Sequence, residues 1–176
     1  IEGLFVLGIS AILLGIVYLY YAHAYSQQKT VAAREEFLSI RDAIQELYSN
    51  QTLEVWGTLN NETITKSGLL SKKYTGADGS DNAWGTNLIN PWGGPIVVYN
   101  VDNGDLSQSY FQIVFYDVPK EDCVLLASNH DWMNGGPATQ INNYQDNSIT
   151  PLDISFIANN VCVYQNNMFA WATVDG

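Results

Sequence analysis

At 176 residues the chain is long enough for one domain with a sizeable core plus a membrane segment. Charged residues make up only 14% and the net balance is −11, with Lys72-Lys73 the longest basic run. Nucleic acid is therefore disfavoured as a primary ligand, because phosphate binding rests on basic surface; an acidic surface instead favours solubility outside a membrane and weak nonspecific sticking.

The chain opens on an apolar run. From Gly3 to Ala22 there is no charge, and Leu4, Phe5, Val6, Leu7, Ile9, Ile12, Leu13, Leu14, Ile16, Val17 and Leu19 occupy every helical face. A helix of about 20 such residues is roughly 30 Å long, the hydrocarbon thickness of a bilayer. Tyr18, Tyr20, Tyr21, His23 and Tyr25 then gather where a membrane interface would lie. Glu2 stands at the head of the run, and a carboxylate in hydrocarbon costs several kcal/mol, so it needs a partner or a way out. A cleaved signal peptide fits poorly, because no small-residue cleavage site is evident and amphipathic sequence follows directly. A signal anchor explains the run but normally carries Lys or Arg on its cytoplasmic side. A core helix of a soluble domain would be apolar along one stripe only. Gly8 and Gly15 each lower helix stability by about 1 kcal/mol relative to Ala. They suit either close helix–helix contact or a local loss of helix on assembly.

Ser26 to Ser49 lacks Pro and Gly. Ala33, Phe37, Ile40, Ile44 and Leu47 recur at alternating steps of four and three, one face of a helix, while Lys29, Arg34, Glu35, Glu36, Arg41, Asp42 and Glu46 fill the rest. Residues 1 to 49 thus read as one helix of roughly 70 Å. No single domain of this size buries all of it, so the first half, residues 1–25, must enter lipid or other subunits, while residues 26–49 pack on their own domain. A glutamate at the head of a long apolar helix that grades into an amphipathic one resembles the N-terminus of a mature type IV pilin. In that family the glutamate is the fifth residue after processing, and the first carries a free, N-methylated amine. The resemblance therefore implies that three residues, and a leader with its glycine, would precede Ile1. It also implies a docking role for Glu2, against the N-terminal amine of a neighbouring subunit. Pseudopilins of secretion systems share these features.

Residues 50–95 read as an irregular connection punctuated by Asn50, Gly57, Asn60, Asn61, Gly68, Gly76, Gly79 and Gly85, with a short Asn-capped helix over Asn61–Ser67 ended by Gly68. In type IV pilins the corresponding αβ-loop lies over the domain and helps make subunit contacts. Asn50-Gln51-Thr52 and Asn61-Glu62-Thr63 match the glycosylation sequon, although an exposed polar loop explains them more simply. Asn90-Pro91-Trp92-Gly93-Gly94, running into Ile96-Val97-Val98-Tyr99, is similar to a turn of pilins and pseudopilins. Physically, Pro fixes φ, Gly permits positive φ, and Trp can cap the core. A phosphate-cradling role for Gly93-Gly94 would require a following helix and a Lys, and neither is there.

Ile96–Val101 reads as a strand, Asn103-Gly104-Asp105 as a turn, and Tyr110–Val118 as a second strand. Pro119 at a first helical position, with acids behind it, starts a short helix carrying Cys123. A strand that runs into a Pro-led, Cys-bearing helix resembles the larger, type IVb pilins. Ala138–Tyr144 reads as a third strand. Thr150-Pro151 opens a helix to about Val161 with Cys162 at its end, and Asn166-Asn167 turns into a last strand, Met168–Val174. A chain ending on a strand normally has that terminus tied into the sheet. Cys123 and Cys162 show no CxxC or Cys/His zinc spacing. In an exported domain two such cysteines form one disulfide more often than two buried free thiols.

Catalytic constellations are not evident. His23 lies in the membrane-proximal helix, His130-Asp131 lies in a loop, and no Gly-x-Ser-x-Gly turn exists. The Asp102-Asn103-Gly104-Asp105 turn lacks the downstream Glu of a calcium loop, and no carboxylates are spaced for acid/base work. Neither cofactor nor metal is expected. The fold class implied is α+β, a long N-terminal helical spine on a mainly antiparallel sheet, with the β-sheet and disulfide-bonded region spanning 96–176. The function implied is that of a major pilin, a homopolymer built through Leu4, Phe5, Leu7, Ile9, Ile12, Leu13, Ile16 and Val17 of the spine. The partners implied are a prepilin peptidase, an inner-membrane platform, an assembly ATPase and an outer-membrane secretin; the location is an extracellular pilus, preceded by the inner membrane. A minor pilin or pseudopilin is the nearest alternative, and a membrane-anchored periplasmic enzyme or binding domain the alternative from another class.

Overall fold

The computed structural model describes residues 2–48, 59–74, 88–101, 110–128, 139–142, 144–146, 154–164 and 166–174. Helix α1 is one unbroken element, Glu2–Tyr48. Its C-terminal half packs through Ala33, Phe37, Ile40, Ala43, Ile44 and Tyr48, all buried, as the steps of three and four require. Burial of each large member of that stripe contributes roughly 1.5–3 kcal/mol.

Among the described residues the sheet that receives α1 has five strands in the order β1-β2-β5-β3-β4, and their pairings are antiparallel. They are β1 (Ile96–Val101), β2 (Tyr110–Pro119), β3 (Thr139–Ile141), β4 (Tyr144–Asp146) and β5 (Asn166–Val174). The last strand is the central one, so the C-terminal segment is held on both edges. Ile96 and Val98 of β1, with Phe111, Ile113 and Phe115 of β2, alternate into the same core as the α1 stripe. Between Phe115 and Val118 the β2–β5 register shifts, and Asp117 takes φ 56°, which marks a bulge.

Three short helices accompany the sheet among the described residues. Between α1 and β1, α2 (Asn61–Lys66) is capped by Asn60, whose side chain accepts from Thr63 N at 2.9 Å, and the chain leaves it through Gly68 at φ 74°. A 3₁₀ turn follows at Lys72–Tyr74. Helix α3 (Lys120–Ser128) carries Cys123; α4 (Ile154–Phe156, continued as a π-helical turn over Ile157–Val161) leads to Cys162. The disulfide Cys123–Cys162 joins them with a Cα–Cα distance of 5.9 Å.

Four sequence expectations need correction. Pro119 ends β2 instead of opening the helix, which starts at Lys120. The single strand expected over Ala138–Tyr144 is a hairpin, β3 and β4, turning at Asn142 with φ 52°. Asn166-Asn167 is not a turn but the start of β5. Asn167 is buried because its amide donates to Val118 O and Tyr164 O, at 3.2 and 2.9 Å, and accepts from Asn142 Nδ2 at 2.8 Å. Asn61 is no exposed sequon, since it is 7% exposed, donates to Ile96 O and accepts from Val98 N, both at 2.6 Å. An amide so engaged offers no acceptor site for a glycan. The Asn50 sequon, the Asn103-Gly104-Asp105 turn, His130-Asp131 and the Thr150-Pro151 helix start lie outside the described residues.

Candidate assembly surface

The same sequence that gives α1 a packed face in its second half gives it none in its first. From Val6 to Tyr25 every described side chain is exposed. Leu7, Ile12, Leu14, Val17 and Leu19 are each more than 60% exposed, although they point in different directions around the axis. The most apolar 18-residue window of the helix has mean hydropathy 1.8, and none of it is buried. By length and composition the helix can cross a membrane. The polar groups within it are looked after locally: Ser10 Oγ donates to Val6 O at 2.8 Å. Gly8 and Gly15 sit inside continuous helix, and a Cβ at either would meet nothing within 4 Å, so no contact among the described residues demands glycine there. The side chains of Glu2, Leu4 and Phe5 lie outside the described set.

At the end of the apolar half the surface changes character. Tyr21 and Tyr25 stack with ring centroids 6.3 Å apart, and Lys29 Nζ lies 4.7 Å from the Tyr25 ring. The amphipathic aromatic rings and a snorkelling lysine suit the boundary between hydrocarbon and water. Ser26, the residue after Tyr25, makes the first described bond to the domain, donating its hydroxyl to Asp122 Oδ1 of α3. From Ala33 onward the buried stripe takes over.

The Asn90–Pro95 turn explains its own composition. Asn90 Oδ1 accepts from Trp92 N and Gly94 N, each at 3.0 Å, while its Nδ2 donates to Tyr116 O at 2.6 Å. The side chain therefore ties the turn to the β2 bulge. Gly93 has φ 92°, a conformation that strains any residue with a side chain. A Cβ on Gly94 would lie 2.2 Å from Tyr116 O, so only glycine lets the two backbones approach this closely. Trp92 packs half-buried on the core and donates Nε1–H to Asp122 Oδ2 at 2.7 Å. Asp122 thus joins three elements: the turn, α3 and the point where α1 leaves the domain.

Two buried polar residues of this region run against what their charge suggests. Glu36 belongs by charge to the solvated face, yet it is 2% exposed, and Asp122 is 6% exposed. The signal available for Glu36 was positional: it follows Ala33 by three and precedes Ile40 by four, which places it on the packed stripe. Among the described residues no group of His, Cys, Asp and Glu side chains is arranged to hold a metal.

The arrangement is one of support and presentation: a disulfide-bonded α+β domain holding out a helix whose free half is apolar all round. A family model, Bundlin, matches residues 23–134. Among solved structures, a type IVb pilin from Salmonella typhi superposes with a TM-score of 0.59 at 18% identity, covering 82% of this chain and 98% of that one. TcpA, a type IV pilin from Vibrio cholerae El Tor biotype, gives a TM-score of 0.49 at 14% identity over 85% of this chain and 99% of that one. No curated protein sequence matches the chain.

Proposed function

The chain belongs to the Bundlin family of type IV pilins, and from that premise we propose that it is a major pilin, the repeating unit of an extracellular pilus. Members of this family are structural subunits and not enzymes. The observation that carries the proposal is the first half of α1, apolar on every face and exposed from Val6 to Leu19. Such a surface is stable only in a bilayer or among copies of itself, and a filament core of parallel helices supplies the second after the first.

In this proposal residues 1–25 occupy the inner membrane before assembly and the filament core afterwards, with Leu4, Phe5, Leu7, Ile9, Ile12, Leu13, Ile16 and Val17 as core contacts. Residues 26–49 join the spine to the domain, residues 50–95 are the αβ-loop and residues 96–176 hold the sheet and the disulfide. The proposed partners are a prepilin peptidase, an inner-membrane platform, an assembly ATPase and an outer-membrane secretin. The pilus would serve adhesion, aggregation or DNA transfer. Gly8 and Gly15 are proposed to let the helix loosen as subunits pack, since each lowers helix stability by about 1 kcal/mol, and the freed backbone groups would be enclosed by protein instead of lipid.

Glu2 is proposed to fix register. Within a bundle of apolar helices an unpaired carboxylate is very unfavourable. Pairing with a neighbour's N-terminal ammonium offsets that penalty without necessarily adding net stability. A subunit one turn out of place leaves both charges unmatched.

The test is electron microscopy of material sheared from cells that express the chain, with quantification of the chain in the fibres. A major pilin makes up most of the fibre mass, and its deletion abolishes fibres. Fibres that contain it only in traces would reassign it as a minor pilin, and its absence from any fibre would favour a pseudopilin or an anchored periplasmic domain. Glu2→Ala should leave the protein folded and in the membrane while sharply reducing fibres; wild-type fibre yield would exclude the register role.

A further inference from the structure

Helix α1 carries one carboxyl group on its packed face. Glu36 lies between Ala33, Phe37 and Ile40, all buried, and is itself 2% exposed. Its Oε1 has no hydrogen-bond partner among the described residues. The core that the packed face of α1 joins includes Ile96, Val98, Phe111, Ile113, Phe115 and Val118 of β1 and β2, with Leu59, Ile64 and Leu70 of the segment between α1 and β1; none carries charge. Among the described residues the cation that acts on Glu36 is Lys73, on the 3₁₀ turn Lys72–Tyr74. Lys73 also reaches the outward-facing Glu35 on the same helix, Nζ to Oε2 at 3.8 Å, and lies 5.3 Å from the Tyr74 ring. The turn is itself anchored, since Ile89 N donates to Tyr74 O at 3.3 Å. Glu36 is thus buried, and the cation that acts on it is paired with its outward-facing neighbour Glu35.

We propose that Glu36 is a proton-controlled clasp between α1 and the αβ-loop segment 59–74: the neutral acid lets the segment close on the helix, and ionisation opens it. A neutral carboxyl needs little solvation, and its hydroxyl can donate. A carboxylate in the same place is acceptor-only, and at least one of its oxygens finds no donor. Burial pushes the carboxyl up from 4.5 to about 8, against the pull of Lys73 in the opposite direction. The closed state therefore holds a proton that the open state releases. Below about 4.5 both states are protonated and closure is at its strongest; between about 4.5 and about 8 closure weakens as pH rises; above about 8 the loss is complete. Within that window the opening constant grows by up to about tenfold per pH unit.

The experiment is amide hydrogen exchange on the full chain in detergent micelles from pH 5 to 8.5, corrected for intrinsic exchange rates. Protection over 59–74 in the wild type should fall with pH by up to about tenfold per unit, while Glu36→Gln should show no such fall. Lys73→Met should extend the fall to higher pH, because it removes a charge that favours the ionised form. pH-independent protection in the wild type, or the same fall in Glu36→Gln, would overturn the proposal. Should Glu36→Gln fail to fold, carboxyl ¹³C titration of the wild type decides: a Glu36 midpoint near 8 supports the clasp and one near 4.5 overturns it.

Discussion

The indole Nε1–H of Trp92 donates to Oδ2 of Asp122 at 2.7 Å, and the other oxygen of that carboxylate accepts the hydroxyl of Ser26. One buried side chain therefore fixes the angle at which α1 leaves the domain. Asp122→Ala strands two donors and should cost about 2–3 kcal/mol. Asp122→Asn should cost less than about 1 kcal/mol, because its oxygen still accepts from Trp92 and its amide can donate to Ser26. Urea unfolding with unchanged m separates them; equal costs would mean that the carboxylate's charge matters, not its geometry.

The two glycines of the Asn90–Pro95 turn should not be equivalent. Gly93→Ala meets an unfavourable φ and should cost about 1–2 kcal/mol. Gly94→Ala drives a Cβ into Tyr116 O, a backbone atom that also accepts from Asn90. The turn or the bulge must then move, at more than about 2 kcal/mol. Thermal unfolding of the two variants should rank Gly94→Ala as the more damaging.

The Cys123–Cys162 disulfide ties α3 to the segment that feeds the central strand. Replacing both cysteines by serine should lower stability by about 2–4 kcal/mol. Thiol labelling of unreduced protein should find no free cysteine; stoichiometric labelling would refute the bond.

Removal of residues 1–25 should leave a soluble, folded monomer. Every described side chain from Val6 to Tyr25 is exposed, so the domain loses no core contact that the structure describes. Analytical ultracentrifugation and near-UV circular dichroism check this. Aggregation under oxidising conditions would show that the apolar half supports its own domain.

How much of this was legible depended on whether the cause was local. The α1 helix announced itself because apolar composition and then a steady three-four step ran unbroken through 49 residues without proline. The first two strands alternated, and the Asn90–Gly94 turn carried residues whose backbone needs are fixed by chemistry. Burial of Asn61, Asp122 and Asn167 was not legible, and that of Glu36 only from its place on the stripe. Each is polar, and composition assigns polar residues to solvent. What buries three of them is a partner distant in sequence: Ile96 and Val98 for Asn61, Trp92 and Ser26 for Asp122, Val118 and Asn142 for Asn167. The β3–β4 hairpin was missed for a related reason, because three-residue strands leave no period to read.

The most direct measurement is a cryo-electron microscopy map of fibres formed by this chain. The expected map places Val6–Leu19 at the fibre axis, enclosed on all sides by α1 helices of neighbouring copies, with the sheet domains outside and Glu2 beside a neighbour's N-terminal amine. A map with the apolar half of α1 on the outer surface, or in which the fibre is held together by domain contacts alone, would contradict assembly through the helix.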